Sequence, residues 1–460
     1  MNTLILISVL PLLLLYLGLY KAKNALLPVT IVGLLVALGL AVAQWNKVNL
    51  PIYHGMMLFD RFAIAFSAVT IISTILILML SRDYFERISN NVAEYYAVIL
   101  FALAGIVVMV SYHNLTMLFI GIEIMSVSLY ILAGIKKSDF ASNEAALKYF
   151  LMGAFSTGFL LFGIALIYGS AGSFDMDVIR DWALTHTHKT VDPMFYTGIL
   201  FMIIGLCFKV GAAPFHFWTP DVYEGSPTLI TAFMSTVVKT AGFAAFLRLF
   251  STCFAPVSEV WLPALIAITI ITLFIGNITA LYQQSFKRML AFSSISHAGY
   301  LLFAIVGLGA NSANSVFVYA TAYSVASIIA FAALMLVEQQ TGNDKYENFN
   351  GLGKSNPFLA FVLTIAMLSF AGIPLTAGFV GKFFMFSGAL GHLQIGLVIV
   401  AVINAIISIF YYFRVIIAMY FRSAERSGLV VPGYVNVVLA LSVVITLIIG
   451  IYPGFISNLI

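Results

Sequence analysis

The chain has 460 residues, of which 62% are hydrophobic and only 9% charged, where a soluble chain carries about a quarter charged residues. This excludes a soluble protein and leaves a single integral membrane bundle as the reading. The 22 Lys and Arg against 18 Asp and Glu leave a formal +4, too small and too scattered for nucleic acid to be a partner. Cys207 and Cys253 lie in or beside apolar segments, with no second pair to form a disulfide framework or metal motif. No glycine-rich nucleotide loop and no Cys or His cluster is present, so the chain is expected to hold neither NADH, flavin nor iron-sulfur itself.

Apolar runs near 20 residues predict 14 transmembrane helices, at 3–20, 25–43, 62–81, 95–111, 115–134, 146–169, 195–213, 228–250, 260–282, 290–309, 313–337, 357–390, 394–413 and 433–456. The first reads as a retained helix, because Lys21 and Lys23 follow the apolar run where a signal peptide would have them precede it. The stretch 357–390 is too long for one straight helix and carries Gly372 and Pro374, so a break is expected there. The seventh span ends similarly at Gly211-Ala-Ala-Pro214 and continues to Trp218. Two interrupted helices are therefore predicted.

Cytoplasmic loops carry the excess of basic residues. Odd-numbered loops and their helix ends hold thirteen: Lys21, Lys23, Arg82, Arg87, Lys136, Lys137, Lys287, Arg288, Lys345, Lys354, Arg414, Arg422 and Arg426. Even-numbered loops hold five: Lys47, Arg61, Arg180, Lys189 and Arg248. The odd loops thus face the cytoplasm and both termini face outward. The four remaining basic residues, Lys148, Lys209, Lys239 and Lys382, lie within apolar spans, and among the acids only Glu123 does.

A weak internal echo accompanies these charges. Glu123-Ile-Met-Ser-Val-Ser-Leu-Tyr130 lies over Ser293-Ser-Ile-Ser-His-Ala-Gly-Tyr300, and Tyr149 over Tyr319, while Gly211-Ala-Ala-Pro214 lies over Ala371-Gly-Ile-Pro374. Five spans separate the copies, so the second is inverted in the bilayer, a transporter architecture. The expected organisation is an all-α membrane domain: N-terminal helices at 1–94, a first five-helix repeat at 95–250, its inverted copy at 260–421 and a C-terminal helix at 430–460. Each repeat contains one broken helix.

A charged side chain deep in a bilayer costs a few kcal/mol and is normally paired, neutral or in a wet cavity. Lys148 is near its helix start and four residues from Glu144, so snorkelling or a local ion pair suits it. Lys239 lies midway along its span, Lys209 just before the first break, and Lys382 eight residues beyond the Pro374 of the second. Glu123 is the natural counter-ion for such amines. His216 follows Lys209 by seven positions, and His297 lies within the tenth span; each suits either a relay or a structural role. Amines whose pairing changes can hold or release a proton, so a row of them makes a relay. No nucleophile-and-base constellation is visible.

The run Phe208-Lys-Val-Gly-Ala-Ala-Pro-Phe-His-Phe-Trp-Thr-Pro-Asp-Val-Tyr-Glu-Gly-Ser-Pro-Thr228, then Thr231-Ala-Phe-Met-Ser-Thr-Val-Val-Lys239 and Ala371-Gly-Ile-Pro-Leu-Thr-Ala-Gly-Phe-Val-Gly-Lys-Phe383, resembles the antiporter-like membrane subunits of respiratory complex I over essentially the whole chain. The Asp-Val-Tyr-Glu-Gly and Thr-Ala-Phe-Met-Ser forms, the lysine at 382 and the end at Ile460 favour one subunit type within that family. By this resemblance Glu123 and Lys209 match a coupled pair, Lys239 a central lysine and Lys382 the terminal charge of the second broken helix. Lys148 and His216 match accessory positions, and His297 a bridging one. The resemblance implies a proton-pumping module of the inner membrane, surrounded by lipid and other membrane-arm subunits. NADH, FMN, iron-sulfur clusters and quinone would be held by partner subunits. Rival readings are a subunit of a multi-subunit cation/proton antiporter, against which the Asp-Val-Tyr-Glu-Gly form argues, a non-pumping scaffold, against which four deep lysines argue, and a quinone-binding subunit. The loop from Gly172 to Pro193, with His186 and His188, matches no motif and is expected to be solvated.

Overall fold

The computed structural model describes residues 2–46, 50–89, 91–186, 192–309, 311–391, 395–423, 428–457 and 459–460. Lys47, His188, Lys189 and Arg426, used in reading the loops, lie outside the described residues. Helices α1 (Asn2–Leu19) and α2 (Lys23–Val42) lead into a short antiparallel hairpin of β1 (Leu50–Ile52) and β2 (Met57–Phe59), with Pro51 opposite Leu58. Then follow α3 (Arg61–Met79), α4 (Val92–Ser111), α5 (Leu115–Ala133), α6 (Phe140–Ala171), α7 (Met176–His186) and α8 (Pro193–Val210). Next come α9 (Trp218–Gly225), α10 (Thr228–Phe233), a π-helical turn (Met234–Val238) and α11 (Lys239–Thr252). The second half comprises α12 (Ser258–Leu281), α13 (Phe286–Val306), α14 (Ser312–Thr341), α15 (Leu352–Ser355), α16 (Pro357–Ala371), α17 (Ala377–Gly391), α18 (Ile395–Phe421), α19 (Gly433–Ile451) and α20 (Gly454–Ser457).

Among the described residues 13 helical segments are long and apolar enough to cross a membrane, with Thr228–Thr252 counted as one, and Pro357–Ala371 is a shorter apolar helix. These account for all 14 predicted spans. The twelfth is split between α16 and α17 and the seventh between α8 and α9. In both breaks a glycine takes the left-handed conformation that lets the last carbonyls of a helix find donors. Gly211 (φ 73°) donates to Cys207 and Phe208, and Gly372 (φ 81°) to Leu368 and Ser369. The next amides, of Ala212 and Ile373, bond back to Cys207 and Leu368 at 2.8 and 3.0 Å. Gly211 therefore corresponds to Gly372, which shifts the sequence echo at the breaks by one residue.

The repeat is also visible in packing. α4 lies along α5 as α12 lies along α13, and α6 packs on α8 and α9 as α14 packs on α16 and α17. Both helix pairs approach backbone to backbone through small residues, as membrane helices do. A Cβ on Gly105 would lie 2.7 Å from the Met125 nitrogen, and one on Gly276 would lie 2.5 Å from that of Ser296. The spans 228–252 and 286–306 are buried over all but a few end residues and α14 nearly so, whereas α1, α2, α18 and α19 turn apolar faces outward.

Several helices extend beyond the apolar runs, and this relocates charges that the loop reading placed outside them. Lys287 falls in the first turn of α13 and is buried, its Nζ donating to the Ser226 carbonyl at 2.8 Å. Arg248 lies in α11, buried on Asp60 at 2.6 Å and stacked over the Phe62 ring at 4.7 Å. Arg414 lies within α18, over the Tyr346 ring at 4.4 Å. A long aliphatic stem lets such residues continue a helix while their heads reach polar partners at its end.

The 172–193 segment is not simply a solvated loop. Met176–His186 is an amphipathic helix that buries Met176, Ile179 and Ala183. Asp177 anchors it, meeting His113 at 2.9 Å and Arg180 at 2.7 Å. The hydrogen bond from His113 leads in holding the Asp177 carboxyl below its ordinary value, with Arg180 adding to it against the opposing effect of burial.

Gly378, which opens α17, has no room for a side chain, because its Cβ would sit 1.8 Å from the Ser369 carbonyl oxygen. Gly378→Ala should therefore lower stability by about 1–3 kcal/mol or more. Gly158→Ala, whose Cβ would meet nothing within 4 Å, should be neutral or stabilising by up to about 1 kcal/mol. Thermal unfolding in detergent of the two variants checks the contrast.

Candidate functional site

Three of the four intramembrane lysines are deeply buried: Lys209, Lys239 and Lys382 are 8%, 3% and 5% exposed. Burial of an amine demands hydrogen-bond partners, and here they are neutral oxygens. Among the described residues none of the three makes an ion pair.

Lys209 stands in the last turn of α8, immediately before the first break. Its Nζ donates to Ser126 Oγ at 2.8 Å and lies 5.9 Å from the Tyr130 ring centroid, both on α5. Glu123 is one turn earlier on the same helix and accepts from Thr157 Oγ1 of α6 at 3.0 Å. The expected direct contact of Glu123 with Lys209 is thus not made. Ser126 takes the amine and Thr157 the carboxylate, although Glu123 lies near enough to act on Lys209 through space.

Lys239 is the first residue after the π-helical turn, an irregularity frequently found at functional sites. Its Nζ donates to the Ser294 carbonyl at 2.6 Å and also bonds Ser294 Oγ. It lies 5.8 Å from the Tyr323 ring centroid, and the Tyr323 hydroxyl meets Ser235 of the π turn at 2.8 Å.

Lys382 bends back across the second break. Its Nζ donates to the carbonyls of Phe370 and Ala371 at 2.9 and 3.0 Å, the last two of α16. Those carbonyls lack intrahelical partners and form the negative end of the helix dipole, so they suit a cation. The missing side chain of Gly372 makes the approach possible, since a Cβ there would be 2.8 Å from Lys382 Cδ.

His297 lies between the surroundings of these two lysines. Its Nδ1 meets the Tyr319 hydroxyl at 2.7 Å and its Nε2 the Tyr412 hydroxyl at 3.0 Å. Its ring is 4.7 Å from that of Tyr323, which faces Lys239, and 6.1 Å from that of Tyr300, which faces Lys382 at 4.8 Å. With both ring nitrogens on hydroxyls that can donate or accept, either tautomer is satisfied.

The remaining two candidates stand apart. Lys148, 41% exposed along its side chain, pairs with Asp221 at 2.7 Å and Glu144 at 2.8 Å, the local ion pairing its position suggested. His216 is buried with Nδ1 unpartnered, and among the described residues no bond joins it to Lys209. The sequence reading missed the acids of α9: Asp221 also reaches Arg288 at 3.3 Å, and Glu224 bonds the same guanidinium. Their spacing of three on a short helix beside a break was the available signal. The buried partners of the lysines, Ser126, Ser294 and the tyrosines, carried none, because Ser and Tyr are ordinary in apolar helices.

His113, Asp175 and Asp177 form the one group of metal-ligand types among the described residues, with ligand atoms within 4.8 Å. The bonds of Asp177 to His113 and Arg180 already account for it.

Residues 112–408 match the family described as NADH:quinone oxidoreductase/Mrp antiporter, TM. The chain belongs to this family. It is 43% identical to the NADH-quinone oxidoreductase subunit N of Cytophaga hutchinsonii, covering 100% of this chain and 99% of that one. It is 42% identical to the subunit of the same name from Flavobacterium psychrophilum, over 100% of both chains. Among solved structures, a chain of respiratory complex I from Thermus thermophilus superposes with a TM-score of 0.85 at 30% identity, covering 99% of this chain and 98% of that chain. The family match spans every deep lysine, Glu123 and His297, and begins after the first four transmembrane helices, α1 to α4.

Tyr412 bonds both His297 Nε2 and Ser293 Oγ, the latter at 2.5 Å. Tyr412→Phe should leave both unsatisfied on that side and cost about 1–3 kcal/mol. Tyr420→Phe, at a partly exposed residue whose hydroxyl makes only a long 3.5 Å contact with Thr364 Oγ1, should cost less than about 0.5 kcal/mol. Unfolding of the solubilised variants measures the difference.

Proposed function

We propose that this chain is subunit N of a proton-translocating NADH-quinone oxidoreductase, and that Lys209, Lys239 and Lys382 carry the protons, with Glu123 and His297 assisting. The observation that carries the relay is the set of neutral partners. An ammonium offers three donors, and a neutral amine still offers two with one lone pair. The Ser126 and Ser294 hydroxyls can turn to accept from one form or donate to the other, and the carbonyls facing Lys382 accept from both. Each site therefore satisfies either protonation state, where a contacting carboxylate would fix the charge.

Glu123 acts on this row from one turn away. Because Thr157 holds it off Lys209, a small rotation toward or away from the amine changes the electrostatic field without breaking an ion pair. The lysine of α8 and the carboxylate of α5 belong to the first repeat; Lys382 belongs to the second, and Lys239 with His297 bridges them. Lys148 and His216 have no part in the row itself.

In this reading the chain lies in the bacterial inner membrane with odd loops in the cytoplasm and both termini on the outer side, as the thirteen-to-five basic excess indicates. Neighbouring membrane-arm subunits and lipid cover its apolar outer faces, and NADH, FMN, iron-sulfur clusters and quinone are held by partner subunits.

Lys239→Met keeps the apolar stem and removes the amine. In a complex whose assembly has been verified, proton pumping into vesicles should fall at least about tenfold, and NADH-driven quinone reduction should fall with it. Unimpaired pumping by that variant would assign Lys239 a structural role.

A further inference from the structure

A cavity of about 550 Å³ opens on the odd-loop side of the bundle, walled by Tyr84, Ser226, Thr228, Lys287 and Glu338 among others. Each of these comes from an odd loop or a helix end beside one. Glu338 lies in the last turn of α14 and is turned into the bundle, its carboxylate bonding Thr228 Oγ1 at the start of α10. Its basic neighbour is held elsewhere: Lys287 donates to the Ser226 carbonyl at 2.8 Å and reaches Glu338 only at 3.9 Å. Ser226 Oγ, buried beside them, has no protein partner, and the cavity has ample room for water at that point.

The eighth span carries polar side chains from this cavity inward. Thr228 meets Glu338, Thr231 donates to the Tyr223 carbonyl at 2.8 Å, Ser235 meets the Tyr323 hydroxyl at 2.8 Å, and Lys239 follows with its ammonium 5.8 Å from the Tyr323 ring. The spacings of three, four and four residues recur along one face of a helix. Eleven residues of rise cover roughly 16 Å, about half of the ~30 Å hydrocarbon thickness. The π-helical turn falls inside this stretch, so the regular ladder is interrupted where the polar face reaches Lys239.

We infer that Glu338 is the proton-uptake group of this chain: it takes a proton from water in the cavity and delivers it along the Thr228, Thr231 and Ser235 face to Lys239. This rests on the proposed pumping role and adds to it a residue and a side. The transfer balances at each step. A hydronium in the cavity water protonates the Glu338 carboxylate and is left as water, each hydroxyl or bridging water that then receives a proton releases its own to the next, and the neutral amine of Lys239 accepts the last. Lys287, the Tyr84 hydroxyl and, further out, Arg87, Lys136, Asp139, Glu224 and Asp344 are the titratable groups that face Glu338 or share its cavity. Lys287, Arg87 and Lys136 bring positive charge to this cavity, and Asp139, Glu224 and Asp344 bring carboxylates beside Glu338.

The test uses the complete complex in vesicles. Glu338→Gln should slow proton pumping and NADH-driven quinone reduction at least about tenfold without changing NADH oxidation by a water-soluble acceptor, and Glu338→Asp should recover part of the loss. Assembled Glu338→Gln complex pumping at the unmodified rate overturns the assignment. If Glu338→Gln fails to assemble, Gln339→Cys, at a partly exposed residue lining the same cavity, serves instead: a membrane-impermeant thiol reagent added on the odd-loop side should stop pumping, and labelled complex that pumps normally overturns it equally. Lys239→Met separates the two levels. Pumping that survives Lys239→Met sinks the pump reading itself, whereas pumping lost in Lys239→Met but intact in Glu338→Gln sinks only the uptake role.

Discussion

The rest of the structure depends on how three amines are kept in an apolar bundle without a carboxylate in contact. Each uncompensated charge at that depth would cost several kcal/mol, and the fold meets the need with hydroxyls and helix-end carbonyls. The second helix break stands where such carbonyls are wanted. Gly372 shows the link most directly, since the same missing Cβ lets the chain turn left-handed and lets Lys382 reach Phe370 and Ala371. The carboxylates are spent elsewhere near the ends of the spans, on Lys148 and Arg288, where water screens the pairs, and on the buried Arg248.

The duplicated architecture gives this arrangement two related halves joined through one helix. α13 supplies Ser294 to Lys239 and, one turn on, His297 to the Tyr319 and Tyr412 hydroxyls, beside Tyr300, which faces Lys382. Its nearly complete burial follows from that position between the repeats, and so does that of α10 and α11. A helix with polar side chains at 293, 294, 296 and 297 could not face lipid, because each group would lack a partner there. The polar content of α13 is therefore tied to its place at the centre, and its place to the close approach that Gly276 allows α12.

Much of this was legible from the chain alone because charge in an apolar run is a rare and costly signal. Lys209, Lys239 and Lys382 announced themselves by that rule, and Gly211 and Gly372 with their prolines announced the breaks. What the sequence hid was partnership. Glu123 and Lys209 look like an ion pair in a sequence whose other apolar-span acids are absent, yet Ser126 and Thr157 intervene. Lys287 looks like a loop residue until α13 is seen to start before the apolar stretch. The π-helical turn before Lys239 has no composition of its own, since Met-Ser-Thr-Val-Val would serve equally in an α-helix. Helix α7 was hidden for a different reason: its few apolar positions sit among acids, and only the docking of Asp177 on His113 shows which face is inward.

The central claim is that a buried amine must give up its proton, and not merely stay positive. Arginine separates these, because it preserves the charge and the donors while remaining protonated at every accessible pH. The measurement is proton pumping by assembled complex carrying Lys239→Arg, read in vesicles beside the unmodified complex. The account predicts pumping reduced at least about tenfold with assembly and NADH oxidation by a water-soluble acceptor intact. Pumping at the unmodified rate would contradict it, since a fixed cation would then suffice.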